Sequence, residues 1–175
     1  MISINLKLEP LTTDAFSPFG DVIDIEQSGS TETINYGLTK RHAYHSLIDT
    51  HDDNGKPVIR LFDSNPVTLP FKIVVMERHP LGTQAFINMD SNPHIIVVGR
   101  AGDFDASKLR AFIAKSGQSV NYSKGTWHHY CLCLEARTRF MVIDRLGPGI
   151  NCEEEHIEKN MEILVDHYRH QEKDL

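Results

Sequence analysis

Two short segments of the chain group side chains that can bind an anion, move a proton or ligate a metal. The first runs from Glu77 to Phe86, where a strand-like run ends, turns through a proline and a glycine, and a second run begins. Within it, Arg78 can bind a carboxylate with two hydrogen bonds. His79 can titrate near neutral pH or ligate a metal, and Gln84 can donate and accept hydrogen bonds. The segment is therefore a candidate substrate or metal site. The alternative is a plain turn in which His79 caps backbone groups and Arg78 pairs with an acid.

The second segment runs from Asn121 to His129 and contains Lys124, Trp127 and the pair His128-His129. Neighbouring residues of a regular strand point to opposite faces, so only one of the two histidines can face a given cavity. Trp127 is the only tryptophan, and beside the histidine pair it could form one wall of a pocket. The alternative is a tryptophan in the core with two histidines at a sheet edge.

Composition limits the kinds of partner this chain can have. The formal net charge of −6 argues against nucleic acid or an anionic membrane surface as the main partner, although a small anionic substrate stays open. The sequence has no apolar run of the length that a membrane helix needs and no signal-peptide pattern at its start. Three cysteines, Cys131, Cys133 and Cys152, have no framework spacing. They predict a reduced, cytoplasmic protein in which the first two pack as small hydrophobic residues.

The elements that must position these segments are mostly strands. Short strand-like runs are punctuated by Gly, Pro, Asn or Asp, which favours an antiparallel sandwich or barrel in a single domain spanning 1–175. The strand predictions are Asp21 to Ile25, Val58 to Phe62, Lys72 to Glu77, Gln84 to Met89, His94 to Gly99, Ser119 to Tyr122, His129 to Leu134 and Arg139 to Ile143. No Gly-rich phosphate loop opens a helix, so no nucleotide cofactor is expected.

Three helical segments are also predicted. Thr12 to Ser17 reads as a short capped turn, and Asp105 to Ile113 reads as a helix with a cap residue. Residues 155–175 are predicted to form a helical extension that packs or contacts a second subunit. Its apolar stripe consists of Ile157, Met161, Leu164, Val165 and Tyr168.

Together, the two chemistry-bearing segments resemble the layout of cupin barrels, in which a His-bearing hairpin and a later Gly…His segment face each other. The resemblance implies a mainly β, cupin-like double-stranded β-helix or jelly-roll barrel with a few short helices and a C-terminal helix. The usual cupin His-x-His…Glu ligand set is missing, so an oxygen-activating iron site is not expected. A weaker divalent-metal site built from His79, Gln84 and either His128 or His129 fits the residues present.

A more specific resemblance is to the ureidoglycolate lyase family. It is carried by Glu77 to Ile87, by Val120-Asn121-Tyr122 with Gly125-Thr126-Trp127-His128-His129, by Phe16 to Ile23, by Leu109 to Ile113 and by Ile143-Asp144-Arg145. These blocks come in family order and span Leu8 to Cys152. The chain departs from the family at Ser123-Lys124, where His-Arg is usual, and at Tyr130, where Pro is usual. The resemblance implies cleavage of (S)-ureidoglycolate to glyoxylate and urea, a homodimer, and a divalent metal such as nickel.

The chemistry of the residues suggests roles in that reaction. His128 or His129, whichever faces the cavity, is the leading base, and His79 is an alternative base or a metal ligand. Candidates to hold the substrate carboxylate are Arg78, Lys124 and Arg145, while Gln84 suits the ureido group and Trp127 a pocket wall. Two other readings stay open, namely another metal-dependent cupin enzyme acting on a small carboxylate and a cupin protein that only binds one.

Overall fold

The computed structural model describes residues 2–27, 29–42 and 46–165, and β-strands dominate this part of the chain. The strands are β1 (Ile2–Leu6), β2 (Leu8–Pro10), β3 (Gly20–Ile23), β4 (Thr31–Ile34), β5 (Thr39–His42), β6 (Lys56–Ser64), β7 (Phe71–Ile73), β8 (Val75–Arg78), β9 (Gln84–Asn88), β10 (His94–Gly99), β11 (Arg110–Ala114), β12 (Ser119–Tyr122), β13 (Trp127–His128), β14 (Leu132–Cys133), β15 (Thr138–Leu146), β16 (Glu153–His156) and β17 (Met161–Val165). Helical elements are short: α1 (Thr13–Phe16) and 3₁₀ turns at Ile25–Gln27, Asn35–Gly37, Asp52–Asn54 and Ala106–Lys108. None of these described helices has the length or the apolar character to cross a membrane. The prediction of a mainly β, cupin-like fold is confirmed.

The strands form three larger sheets and one hairpin. The five-stranded sheet has the order β3-β12-β9-β15-β6, and the seven-stranded sheet has the order β16-β8-β13-β10-β11-β2 with β14 also paired to β10. A three-stranded sheet has the order β1-β17-β7, and β4 pairs with β5. Antiparallel pairing predominates, as the short turn-punctuated strands predicted.

The core lies on both faces of the seven-stranded sheet. One apolar cluster joins Phe86 and Val142 of the five-stranded sheet to Ile96 of the seven-stranded sheet, so it fills the space between these two sheets. A second cluster joins Val97 to Ile163 of the three-stranded sheet. Strand β10 is therefore covered on both faces, which explains why its sequence is an unbroken apolar run rather than an alternating one.

The helix predicted for Asp105 to Ile113 is wrong. The Asp105 side chain caps a single 3₁₀ turn by accepting from the Ser107 amide at 3.0 Å, and β11 then begins at Arg110. Strand β11 pairs with β10 on one side and β2 on the other. Because both of its faces are covered, its apolar residues need not alternate and imitate helical spacing.

The prediction of a C-terminal helix is also wrong over the described residues. Residues 153–165 contain β16 and β17, and β17 fills the gap between β1 and β7 with Ile163 and Val165 buried. Hydrogen-bonded neighbours on both sides favour the strand over the helix that the isolated pattern suggests. Tyr168 and the rest of 166–175 lie outside the described residues.

Other local predictions hold in part. The strand predicted for Lys72 to Glu77 is two strands, β7 and β8, which belong to different sheets. Thr12 caps α1 by accepting from the Ala15 amide at 3.2 Å, as predicted. Of the strand predicted from His129 to Leu134, only β14 is formed, and β13 ends just before it at His128; both pair with β10. Cys131 and Cys133 are buried in the core, as the prediction of small apolar roles required.

Candidate active site

A narrow cavity opens between the five-stranded and the seven-stranded sheets, beside the apolar core that joins them. Its walls lie too close together in this structure to leave room for a water-sized molecule between them. Its lining residues are His79, Gly82, Gln84, Tyr122, Ser123, Thr126 and His128.

Strand pairing places the two sides of this cavity. In the seven-stranded sheet Glu77 lies directly opposite His128, so their side chains share a face. In the five-stranded sheet Gln84 lies opposite Tyr122 in the same way. Gly82, in the turn between them, packs against Arg145, because a Cβ at position 82 would lie only 2.8 Å from the Arg145 Cβ.

His79 is held by a backbone carbonyl from the far end of the chain. Its Nδ1 lies 2.5 Å from the Asn151 carbonyl oxygen, so this nitrogen carries the proton and donates. The Asn151 side chain in turn accepts from the Leu81 amide at 2.8 Å, which fixes the turn that bears His79. The Nε2 atom is left with its lone pair, is buried, and has no hydrogen-bond partner among the described residues.

His128 is completely enclosed, and neither of its ring nitrogens is hydrogen-bonded within the described part of the chain. Burial, reinforced by the proximity of His79, lowers the pKa of His128 to about 3. The ring is therefore a neutral imidazole at physiological pH. The nearest carboxylate oxygen, Glu77 Oε1, lies 3.8 Å from Nδ1, which is beyond hydrogen-bonding distance. Burial also raises the pKa of Glu77, against the opposing effect of His79.

These three residues fit a metal ion. One ligand atom each from Glu77, His79 and His128 lie within 4.8 Å of one another. Two imidazoles with one carboxylate are a donor set that suits divalent transition metals such as zinc or nickel. The Nε2 atom of His79 and both nitrogens of His128 have no partner among the described residues. Buried polar atoms are rarely left unpaired, so a bound ligand that contacts these nitrogens would account for them.

The structure brings together all three residues of the predicted metal set, His79, Gln84 and His128, in the cavity wall. Gln84 Oε1 is buried there, and no described residue donates a hydrogen bond to it. The amide is thus available to a bound molecule as well as to an ion. Glu77 joins the set as a ligand that the sequence reasoning did not single out.

Arg78 and Trp127 do not lie in the cavity, contrary to their predicted roles. Arg78 donates from Nε to Glu153 at 2.7 Å and from Nη1 to the Gly102 carbonyl at 2.7 Å. Its guanidinium stacks on the Trp127 ring at 4.6 Å, and the indole packs with Phe104 in the second core cluster. The reason is strand alternation, which puts Glu77 and His128 on one face of the sheet and Arg78 and Trp127 on the other.

The other two predicted carboxylate clamps are also engaged. Lys124 forms ion pairs with Asp49 at 2.9 Å and Asp52 at 2.8 Å, although its neighbour Ser123 lines the cavity. Arg145 is buried and donates to the carbonyl oxygens of Asp52 at 2.6 Å and Pro148 at 2.7 Å. Arg145 therefore ties two loops together.

His129 points away from the cavity, as the alternation predicted for one member of the pair. Its ring packs edge-on against Phe71 at 5.7 Å, and its Nδ1 lies 2.9 Å from the Tyr130 carbonyl oxygen. Burial lowers the pKa of His129 to about 4. Of the two histidines, His128 is therefore the one that faces the cavity.

Sequence reasoning missed four residues of the site. Glu77 and Tyr122 were quoted only as parts of motifs, and Ser123 and Thr126 were given no function. For Glu77 a signal was present, since it stands two residues before His79 at the end of a predicted strand and so belongs on the same face.

Fold and site together define a mainly β protein of cupin-like architecture with a His/His/Glu cluster beside a cavity between two sheets. The family model described as ureidoglycolate lyase matches residues 3–164, and the chain belongs to this family. A protein of Burkholderia mallei named ureidoglycolate lyase is 45% identical over 161 residues, which cover 92% of this chain and 94% of that protein. Two further proteins of the same name are similar. The one from Pseudomonas syringae pv. tomato is 43% identical over 92% of this chain and 95% of its own length. The one from Pseudomonas putida is 43% identical over 93% of this chain and 98% of its own length.

Proposed function

We propose that this protein is a carbon–nitrogen lyase that cleaves (S)-ureidoglycolate into glyoxylate and urea in the breakdown of allantoin. The family and the names of its relatives support the substrate. The observation that carries the proposal is the cluster in which ligand atoms of Glu77, His79 and His128 lie within 4.8 Å of one another beside the cavity. Within it, His79 Nε2 and both nitrogens of His128 have no hydrogen-bond partner among the described residues.

The reaction is an elimination. The reacting carbon of ureidoglycolate carries a hydroxyl, a carboxylate and a ureido nitrogen. A base removes the hydroxyl proton, the carbonyl of glyoxylate forms as the carbon–nitrogen bond breaks, and the departing nitrogen takes up a proton to give urea. Atoms balance without water, so no ammonia is released.

A divalent metal, nickel among the candidates, would be held by His79 Nε2 and His128, with Gln84 and the carboxyl of Glu77 beside them. Such an ion, when bound, polarises a substrate oxygen and lowers the pKa of a hydroxyl. The Asn151 carbonyl supports this role of His79, since ligating histidines usually donate their other ring N–H to an acceptor.

Glu77 is the group best suited to move the proton. Its raised pKa brings the carboxyl closer to neutrality, where general acid–base catalysis works best. His128 is a poorer base than the sequence suggested, because burial holds its imidazole neutral to strongly acidic pH. A carboxyl that accepts the hydroxyl proton can return it to the departing nitrogen.

Gln84 and Lys124 are placed to orient the substrate. Gln84 offers its unpartnered Oε1 to an N–H of the ureido group. Lys124, which follows Ser123 at the cavity wall, is the best placed of the three predicted cations to reach the carboxylate once it releases one of its two aspartates.

The decisive experiment follows glyoxylate and ammonia from purified protein given (S)-ureidoglycolate, before and after dialysis against a chelator. Glyoxylate without ammonia supports the lyase, whereas ammonia in step with glyoxylate means amide hydrolysis and refutes it. Activity lost on dialysis and restored by Ni²⁺ supports the metal role, and full activity of the dialysed protein refutes that role.

We also propose that the protein is a cytoplasmic homodimer. The free thiols of Cys131, Cys133 and Cys152 suit a reducing compartment. Strand β6 lies at the edge of the five-stranded sheet and exposes Ile59 by 65% and Leu61 by 74%, which suits pairing with a second copy. Light scattering of the wild type and of Leu61→Glu tests the dimer, and cell fractionation tests the location.

A further inference from the structure

We propose that Tyr122 is a positioning residue for the reaction, and that its ring holds the His128 imidazole in the orientation that presents its nitrogens to the cavity. This inference rests on the proposed function for its effect on turnover. The contact itself is independent of that function.

The two rings are stacked almost parallel. Their centroids are 4.3 Å apart and their planes differ by 4°. Stacking uses the face of the imidazole, whereas the lone pair and the N–H of its nitrogens lie in the ring plane. Tyr122 therefore restricts the tilt of His128 while leaving both nitrogens free to bind.

His128 needs such a restraint because it lacks the one that His79 has. The Asn151 carbonyl fixes the ring of His79 by a hydrogen bond. For His128, no hydrogen bond to either ring nitrogen exists among the described residues, and Glu77 is too distant at 3.8 Å. Ring contacts are left to set the plane of this side chain. Of the two, the Tyr122 ring is closer and nearly parallel, whereas the His79 ring is tilted by 44° at a centroid distance of 5.1 Å.

Tyr122 is rigid enough to serve. It is buried in the core between the sheets, with the rings of Phe16 at 6.2 Å and Phe86 at 5.8 Å. Strand β3 lies very close on one side, since a Cβ at Gly20 would be 2.0 Å from the Asn121 carbonyl oxygen. Movement of the phenol ring would disturb this packing, so its position is determined by the core.

The phenol group does not act as a base. Burial raises the pKa of Tyr122 well above its ordinary value, so the hydroxyl stays protonated throughout the physiological range. The role is assigned to the ring face, and this distinction decides which variants test it.

The test compares Tyr122→Phe, which keeps the ring, with Tyr122→Leu, which removes it. We expect Tyr122→Phe to keep kcat, and Tyr122→Leu to lose about 10–100-fold in kcat, the usual effect of losing a residue that orients a ligand. KM should change much less than kcat. Phe112→Leu is the matched control, because Phe112 is a fully buried ring of the same core cluster that does not line the cavity. It should lose stability but keep kcat.

A second readout needs neither activity nor metal. In the wild type, the stacked phenol ring should shift the carbon-bound proton resonances of the His128 ring upfield, and NMR should find this shift in Tyr122→Phe but not in Tyr122→Leu. If no variant turns over ureidoglycolate, the proposed function fails while this measurement still decides the positioning role. Unchanged His128 resonances in Tyr122→Leu would overturn the inference, as would equal losses of kcat in the Phe and Leu variants.

Discussion

Replacing Glu77 by Gln should make the metal-free protein more stable and much less active. The carboxylate is mostly withdrawn from water, with its side chain 33% exposed, and lies in contact with the Cys152 thiol at 4.0 Å. Its raised pKa shows that burial outweighs the favourable effect of His79, so the ionised group costs free energy in the folded state. Gln has nearly the same shape without the charge.

The size of each effect follows from this environment. Removing a poorly satisfied, partly buried charge should raise the free energy of unfolding by about 1 kcal/mol. Loss of the group that moves the proton should lower kcat by about 10²–10⁴-fold. Urea unfolding of chelator-treated protein measures the first effect, and glyoxylate release by metal-loaded protein measures the second.

Glu155→Gln is the matched control, because Glu155 lies on the neighbouring strand β16 and is exposed. It should change the free energy of unfolding by less than about 0.5 kcal/mol and leave kcat unchanged. Retained activity in Glu77→Gln would refute the catalytic role, and a loss of stability would refute the account of the buried charge.

Three further predictions concern pH, substrate binding and packing. Burial lowers the pKa of His94 from 6.5 to about 4. As the pH falls between these values, His94 is protonated in the unfolded chain but stays neutral in the folded chain, so the folded state loses stability. Urea unfolding should therefore show the wild type losing about 3 kcal/mol more stability than His94→Leu between neutral pH and pH 4. Lys124→Met should raise KM about ten- to hundredfold with little change in kcat, whereas Arg78→Met should leave KM unchanged in the same steady-state assay. Gly82→Ala should lower the free energy of unfolding by about 1–3 kcal/mol, because its methyl group meets the Arg145 Cβ at 2.8 Å.

Each of these can fail in a recognisable way. Parallel pH profiles for the wild type and His94→Leu would mean that the buried ring is protonated as readily as in the unfolded chain. A higher KM in Arg78→Met with an unchanged KM in Lys124→Met would exchange the roles given to the two cations. A Gly82→Ala variant as stable as the wild type would show that the turn moves away from Arg145 at no cost.

Local pattern was a good guide wherever strands had one covered face or clear turn residues. The strands around Val58 to Phe62 and Arg139 to Ile143 were expected, and they are the centres of β6 and β15. The helix predictions for Asp105 to Ile113 and for 155–175 failed over the described residues, because β11 and β17 are covered or paired by distant strands. Apolar spacing alone does not distinguish such strands from helices.

The candidate site was also predicted in part. The residues of the two motifs, in an order resembling one family, were enough to indicate the reaction and to bring His79, Gln84 and His128 into one hypothesis. Arg78, beside His79 in the sequence, was expected in the same site, yet an extended backbone turns the two side chains to opposite faces.

The sequence by itself thus determined the β-rich class, the family and the kinds of side chain available for the chemistry, because composition, turn residues and motif order are properties of the chain. Only the tertiary structure decided which of these side chains meet. Pairing of β8 with β13 sets Glu77 opposite His128, pairing of β9 with β12 sets Gln84 opposite Tyr122, and the packing of one sheet on the other stacks Tyr122 on His128. Such contacts depend on register and on the packing of sheets from distant parts of the chain, which local sequence does not encode.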